Sequence, residues 1–217
     1  MSHSVVAKLA LVAMLINCSW FASAQTLQVR TPLSTENVRT EESSLADLVA
    51  DAIRSAAGAE IALIAATSFS ELTIPTGPAK PEDFERALVF RGDSIVVMKL
   101  TGAQLLRALE HAFSLYPAKS AAFLQVSGIT VTADPSAPRG ERIKEVRVQK
   151  ETLDTTRKYA VAMPAPLAGG ALVYSKAWSR EDVDRDTKIT LGEALRQYVS
   201  SLSEIQIKTG ERIVVRK

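Results

Sequence analysis

Histidine and cysteine are almost missing from this chain: two His and one Cys in 217 residues. His3 and Cys18 both fall in the first two dozen residues, which leaves His111 as the one histidine of the main body. A body without cysteine has no disulfide, no thiol nucleophile and no thiolate metal ligand. A hydrolytic two-metal centre draws on several His and carboxylate ligands, and a single histidine does not furnish one. Aromatic residues are also scarce, at 6%, and nowhere interleave with basic residues as a base-stacking platform requires. Charge of either sign barely dominates: the net is +2, so nothing in the balance argues for nucleic-acid binding. The chain holds no G-x-S-x-G elbow, no P-loop and no G-x-G-x-x-G fingerprint.

Long hydrophobic runs are missing too. The longest, "LALVAMLI" at 9–16, is well short of the ~20 residues that span a bilayer. It follows Lys8 and precedes "ASA" at 22–24, with small residues at the −3 and −1 positions. Residues 1–24 therefore read as a secretory signal peptide cleaved after Ala24, in preference to an uncleaved anchor or a lipoprotein signal at Cys18. The expected location is outside the cytoplasm, periplasmic or secreted, with no membrane span after cleavage.

What is present is an ordinary globular balance, 47% apolar and 23% charged. "EESSLADLVADAIRSAAG" (41–58) carries apolar residues at helical spacing, with serine at its start and Gly58 at its end. "EIALIAA" (60–66) and "SIVVMKL" (94–100) suit buried strands, and "PTGPAKPEDF" (75–84) is punctuated as loop. "LTGAQLLRALEHAF" (100–113) opens with a Thr101–Gln104 capping box. "AAFLQVSGITVTA" (121–133) alternates like a strand pair, "DPSAPRG" (134–140) is turn chemistry, and 142–149, 157–163 and 211–217 read as strands. "PAPLAGG" (164–170) reads as loop and 191–202 as helix. The pattern predicts one compact α+β domain over 25–217, a mixed β-sheet with packed helices.

His111 falls on the polar side of its helix, opposite Leu105, Leu106, Leu109, Ala112 and Phe113. A catalytic histidine needs a positioned nucleophile, partner or metal, and no sequence neighbour supplies one. A surface residue is the simpler reading, so no catalytic residue and no cofactor is assigned.

The order of segments resembles the C-terminal domain of the 5'-nucleotidase family. The resemblance rests on "EESSLADLVADAI", "AEIALI", "ALVF", "LTGAQLLRALEHAF", "FLQVSGITV", "DPSAPRGERI", "KYAVAM" and "DTKITLGEALRQYV", which follow one another through the body of the chain. It implies a domain that holds a nucleoside and part of its phosphate, working beside a metallophosphatase domain that carries the metals; no such domain is legible in these 217 residues. The resemblance implies three ligand-binding residues: Arg39 at a phosphate-contacting position, Phe90 at a base-stacking one, and Tyr174 at the end of a loop motif. Two motifs are altered. Where the family has N-G-G-G-I-R, residues 65–70 read Ala, Ala, Thr, Ser, Phe, Ser; where it has F-L-A-x-G-G-D-G-Y, the chain reads "PLAGGALVY" (166–174). The stacking ring becomes Pro166 and the acid becomes Leu172.

"DVDRDTKITLGE" (182–193) nearly fits a calcium loop, with Asp182, Asp184, Asp186 and Glu193 at positions 1, 3, 5 and 12. Thr187 stands where the sharp turn wants glycine, so a solvated acidic turn is preferred. "RGDS" (91–94) is read as turn chemistry and not as an adhesion motif. The expectation is an exported domain, not catalytic alone, that binds a nucleotide- or nucleoside-like ligand or a partner protein. The alternative is the substrate-binding part of a nucleotide hydrolase in nucleotide catabolism, completed in trans by a separate metallophosphatase chain.

Overall fold

The structure is a computed structural model and describes residues 26–216. The expected signal peptide, with His3 and Cys18, lies outside the described residues.

A five-stranded sheet forms the centre. Its strands are β3 (Ile61–Ala65), β6 (Ser94–Thr101), β7 (Leu124–Ser127), β11 (Lys158–Pro164) and β12 (Val183–Thr190), in the order β12-β6-β11-β3-β7. β3 and β11 run parallel and the other pairs are antiparallel. Every residue of β3 is buried, which is why "IALIA" is apolar without alternation. Helix α1 (Ser44–Ala57) lays Leu45, Leu48, Val49, Ala52 and Ile53 into the core and ends on Gly58 in the left-handed conformation. Helix α5 (Leu191–Ser200) packs against α1, and α3 (Gly102–Phe113) packs against β6 and β9 (Ile143–Val148). The Thr101–Gln104 box forms as the sequence implies, with Gln104 N–H donating to Thr101 Oγ1 at 3.2 Å and Thr101 N–H to Gln104 Oε1 at 2.8 Å.

The α+β reading holds, and the strands divide into four sheets. β8 (Ile129–Ala133), β9, β10 (Glu151–Thr152) and β14 (Ile213–Val215) make the second sheet, β14 lying parallel to β8. The expected pair at 121–133 is thus two strands in different sheets. Gly128 separates them at φ +80°, where a Cβ would sit 2.1 Å from the Glu60 carbonyl oxygen, so the chain switches sheets at a point only glycine fits. Two expected loops carry structure. Residues 75–84 include β5 (Gly77–Ala79) and the start of α2 (Pro81–Glu85); Pro81 occupies the first turn and Asp83 accepts from Lys80 N–H at 2.9 Å. Residues 164–170 include the short helix α4 (Ala165–Ala168). At the amino end, β1 (Leu27–Val29) pairs with β5 and with β13 (Glu204–Ile205), and β2 (Leu33–Ser34) pairs with β4 (Thr73–Ile74).

A charged cluster ties α1 to the last strand. Arg212 forks onto Asp51, with Nη1–Oδ1 at 2.9 Å and Nη2–Oδ2 at 2.8 Å. Glu42 Oε2 accepts from Arg212 N–H and Ile213 N–H at 2.8 and 2.7 Å. Asp47 is fully buried beside them, with Arg212 Nε 3.6 Å away and no hydrogen-bond partner for either oxygen among the described residues. Burial pushes its carboxyl up to about 9 against the pull of Arg212, and the neighbouring Glu42 adds to the rise. Glu42 Oε1 is likewise without a partner among the described residues. A protonated Asp47 gains the donor that this pair of acids lacks.

Candidate functional site

β3 and the parallel strand β11 end side by side at Ala65 and Pro164. Beyond the carboxyl ends of parallel strands the chain leaves the sheet, and a crevice opens there. Here it is a cleft of about 460 Å³ lined by Ala65, Thr67, Ser68, Phe90, Asp93, Pro164, Pro166, Leu167, Ala171 and Leu172. Three segments form its walls.

The first wall is 65–70, where the family's polar loop is replaced. Its backbone is pinned on both sides. Ala66 N–H and Thr67 N–H donate to the Phe123 and Ala121 carbonyls at 2.8 and 3.1 Å, while Val89 N–H donates to Ser68 O at 3.0 Å and Ser70 N–H to Ala87 O at 2.9 Å. Phe69 is buried, so the loop is filled by its own ring.

The second wall is the turn 90–93. Asp93 N–H closes it onto Phe90 O at 3.1 Å, and Leu191 N–H and Gly192 N–H hold it to the start of α5 at 3.0 Å each, through the carbonyls of Asp93 and Arg91. Phe90 is 48% exposed, far more than a core ring of this size would be. Asp93 is half-buried, and burial lifts its carboxyl above the ordinary range. Among the described residues it is the one ionisable residue lining the cleft.

The third wall is 164–174. Leu172 and Val173 both take left-handed backbone, at φ 56° and 71°. Val173 stands at the second glycine of the G-D-G stretch in the family motif. The backbone at Val173 is of the kind glycine adopts freely, and a β-branched side chain there is strained.

Arg39 and Phe90 are not brought together. Arg39 is exposed in a different pocket of about 330 Å³, shared with Thr35, Glu36, Asn37, Phe69, Ser70, Glu71 and Lys119. The two acids there offset the two cations. The 65–70 segment contributes Thr67 and Ser68 to one pocket and Phe69 and Ser70 to the other, and so stands between them.

Tyr174, expected at the ligand, lies with its ring in the core. It is 1% exposed, stacks on Trp178 with ring centroids 5.0 Å apart and donates its hydroxyl to Ala122 O at 2.6 Å. Trp178 Nε1 in turn donates to Leu167 O at 3.0 Å. These two rings anchor the third wall. His111 is only half-buried, but it is not an idle surface residue: its ring meets Tyr174 edge-on at 4.8 Å and Nε2 lies 2.8 Å from Leu172 O. It braces the strained turn.

The calcium-loop spacing does not survive folding. Residues 183–190 form strand β12, with register shifts along its pairing to β6. Asp182 accepts from Gln104 and Ser179, Asp184 pairs with Arg185, Asp186 with Lys188, and Glu193 caps α5 through Thr190. Each carboxylate has its own partner, and no group of three or more potential ligands converges on one point among the described residues.

The family model for the 5'-nucleotidase C-terminal domain matches residues 22–177, most of the chain. The protein belongs to the 5'-nucleotidase C-terminal domain family. An apyrase from Aedes albopictus is 26% identical over 85% of this chain and 34% of its own length. The trifunctional nucleotide phosphoesterase YfkN of Bacillus subtilis is 31% identical over 64% of the chain and 10% of its own. Among solved structures, a 5'-nucleotidase precursor from Thermus thermophilus superimposes with a TM-score of 0.77 at 29% identity, covering 87% of this chain and 39% of that one. The chain thus spans about a third of the apyrase it matches. No helix among the described residues is long and apolar enough to cross a membrane.

Proposed function

We propose that this chain is an exported ligand-binding domain with no catalytic centre of its own, and that it takes the ring of a nucleoside-like ligand in the cleft at Phe90. The observation that carries this reading is the half-exposed Phe90 ring, at the family's base-stacking position, over an apolar cleft large enough for a planar heterocycle. The arginine expected to meet phosphate lies across the 65–70 wall, in a pocket where acids balance it. A nucleoside therefore fits better than a nucleotide. The test is a thermal-shift titration of the purified chain with adenosine, uridine and their monophosphates. A ligand at 100 times its Kd stabilises a fold by ~2.7 kcal/mol. A saturating shift with a nucleoside, abolished in Phe90→Ala, supports the reading; no shift with any of them at millimolar concentration sinks it.

The second reading is the substrate-binding part of a nucleotide hydrolase whose metallophosphatase part is a separate chain. It draws on the match to only the C-terminal portion of nucleotide-hydrolysing relatives. It predicts nucleotidase activity only when such a chain is added. Export is tested by intact mass of the protein recovered from the periplasm or medium, which should begin at Gln25. Retention of residues 1–24 would remove that part of the proposal.

A further inference from the structure

Asp93 is a partly buried carboxylate without a protein partner, at the mouth of a mostly apolar cleft. A half-buried carboxylate in an apolar setting normally finds a cation or a backbone N–H, because desolvating an unpaired charge is costly. The acids of the 182–193 stretch all do so. The Asp93 carboxylate makes no hydrogen bond and no ion pair among the described residues; its backbone atoms alone are engaged, with Phe90 and Leu191. No Lys, Arg or His lines the cleft with it. The other polar side chains there are the hydroxyls of Thr67 and Ser68, and the rest of the lining is apolar. One half-exposed aromatic ring and one unpaired carboxylate thus share a cleft a few residues apart on a single rigid turn.

We infer that Phe90 and Asp93 together select a planar ring edged with N–H donors, of which a ring bearing a protonated amidine is the limiting case. This rests on the reading of the cleft as the ligand site and names the class of ligand it takes. A flat ring stacks on Phe90 while its N–H groups donate to the two Asp93 oxygens. The pairing is charge-assisted when the ligand is cationic, and a cation also gains from the face of the ring. The same carboxylate repels anions, so the cleft discriminates against phosphorylated or carboxylated versions of the same ring. The selection is therefore opposite in sign to that of a phosphate-binding site.

Three isosteric probes separate these contributions: benzamidine, a cation with two parallel donors; benzamide, neutral with a donor on one side only; and benzoate, an anion with none. Titrations of the whole chain, followed by backbone amide NMR shifts at 90–93 and 65–68, should rank benzamidine tighter than benzamide by about tenfold or more, with benzoate weakest. Asp93→Asn should erase the preference for benzamidine over benzamide. Phe90→Ala should weaken both. The Asp93 carboxylate has no hydrogen bond or ion pair to lose among the described residues, so its nearly isosteric asparagine variant should keep the fold. Equal affinities for the three probes, or a benzamidine preference that survives Asp93→Asn, overturn the inference while leaving the cleft a ring-binding site. Failure of all three probes and of nucleosides to shift those amides overturns both.

Discussion

Val173 shows how much a single residue can preserve of a motif it has left. Its left-handed φ of 71° is comfortable for glycine and costly for a β-branched residue, by about 1–3 kcal/mol. Val173→Gly should therefore raise the unfolding free energy by about 1 kcal/mol in urea, the gain being smaller than the strain because glycine also frees the unfolded chain. An unchanged midpoint would mean that the turn is not strained. Asp47 gives a second residue-scale expectation. Its carboxyl lies at about 9 in the fold against 3.8 for an ordinary aspartate, so the folded chain binds more protons than the unfolded one between those values. Stability from this group is complete at the acid end of that window and is lost as pH rises through it, at up to about 1.4 kcal/mol per pH unit. Asp47→Asn, which keeps a neutral side chain of the same shape, should flatten the pH dependence of denaturation across the middle of that window. An unaltered slope would show that Asp47 is ionised in the fold.

Between elements, the critical junctions are those where the chain changes sheet. Gly128 joins β7 to β8 at a positive φ with the Glu60 carbonyl against it, and Gly128→Ala should cost at least about 3 kcal/mol, read as a fall in the denaturation midpoint. If that variant were as stable as the parent, the two strands would not be held as described. This junction also marks the limit of what the sequence discloses. "FLQVSGITV" shows two strands plainly, but alternation reports which side chains face the core, not which neighbour a strand pairs with. Helices α3 and α5 are legible from local capping boxes and apolar spacing, and α1 from its spacing and Gly58, since Ser43 at its start makes no side-chain capping bond. Segments 75–84 and 164–170 read as loop because proline and glycine dominate them, yet Pro81 and Pro166 sit in first turns of helices, where a missing N–H costs nothing. The charges of 182–193 look like a ligand set in one dimension. Once folded along β12 and its flanks, they meet separate partners.

For the whole molecule, the family is legible in the sequence and the site only partly so. Phe90 stands out through its place in the family pattern, and its exposure agrees with a surface-facing ring. Tyr174 sits in the same pattern but faces inward, because Trp178 and Ala122 claim its ring and hydroxyl. Asp93 carries no sequence signal beyond turn chemistry. Nothing in "RGDS" reveals that the turn overhangs a cleft, since the walls at 65–68 and 164–172 come from distant parts of the chain. The offset between Arg39 and Phe90 is equally hidden: it depends on the 65–70 segment packing Phe69 inward.

That pinned segment has a kinetic consequence. The three walls hang from the ends of neighbouring strands in one sheet, and the first is bonded on both sides, to 121–123 and to 87–89. A cleft built this way is already assembled before a ligand arrives. Association should be a single step, with an observed rate that climbs linearly with ligand concentration, at 10⁵ M⁻¹s⁻¹ or faster on the order-of-magnitude scale for unhindered encounters. Differences between ligands should then lie almost wholly in how long each one stays.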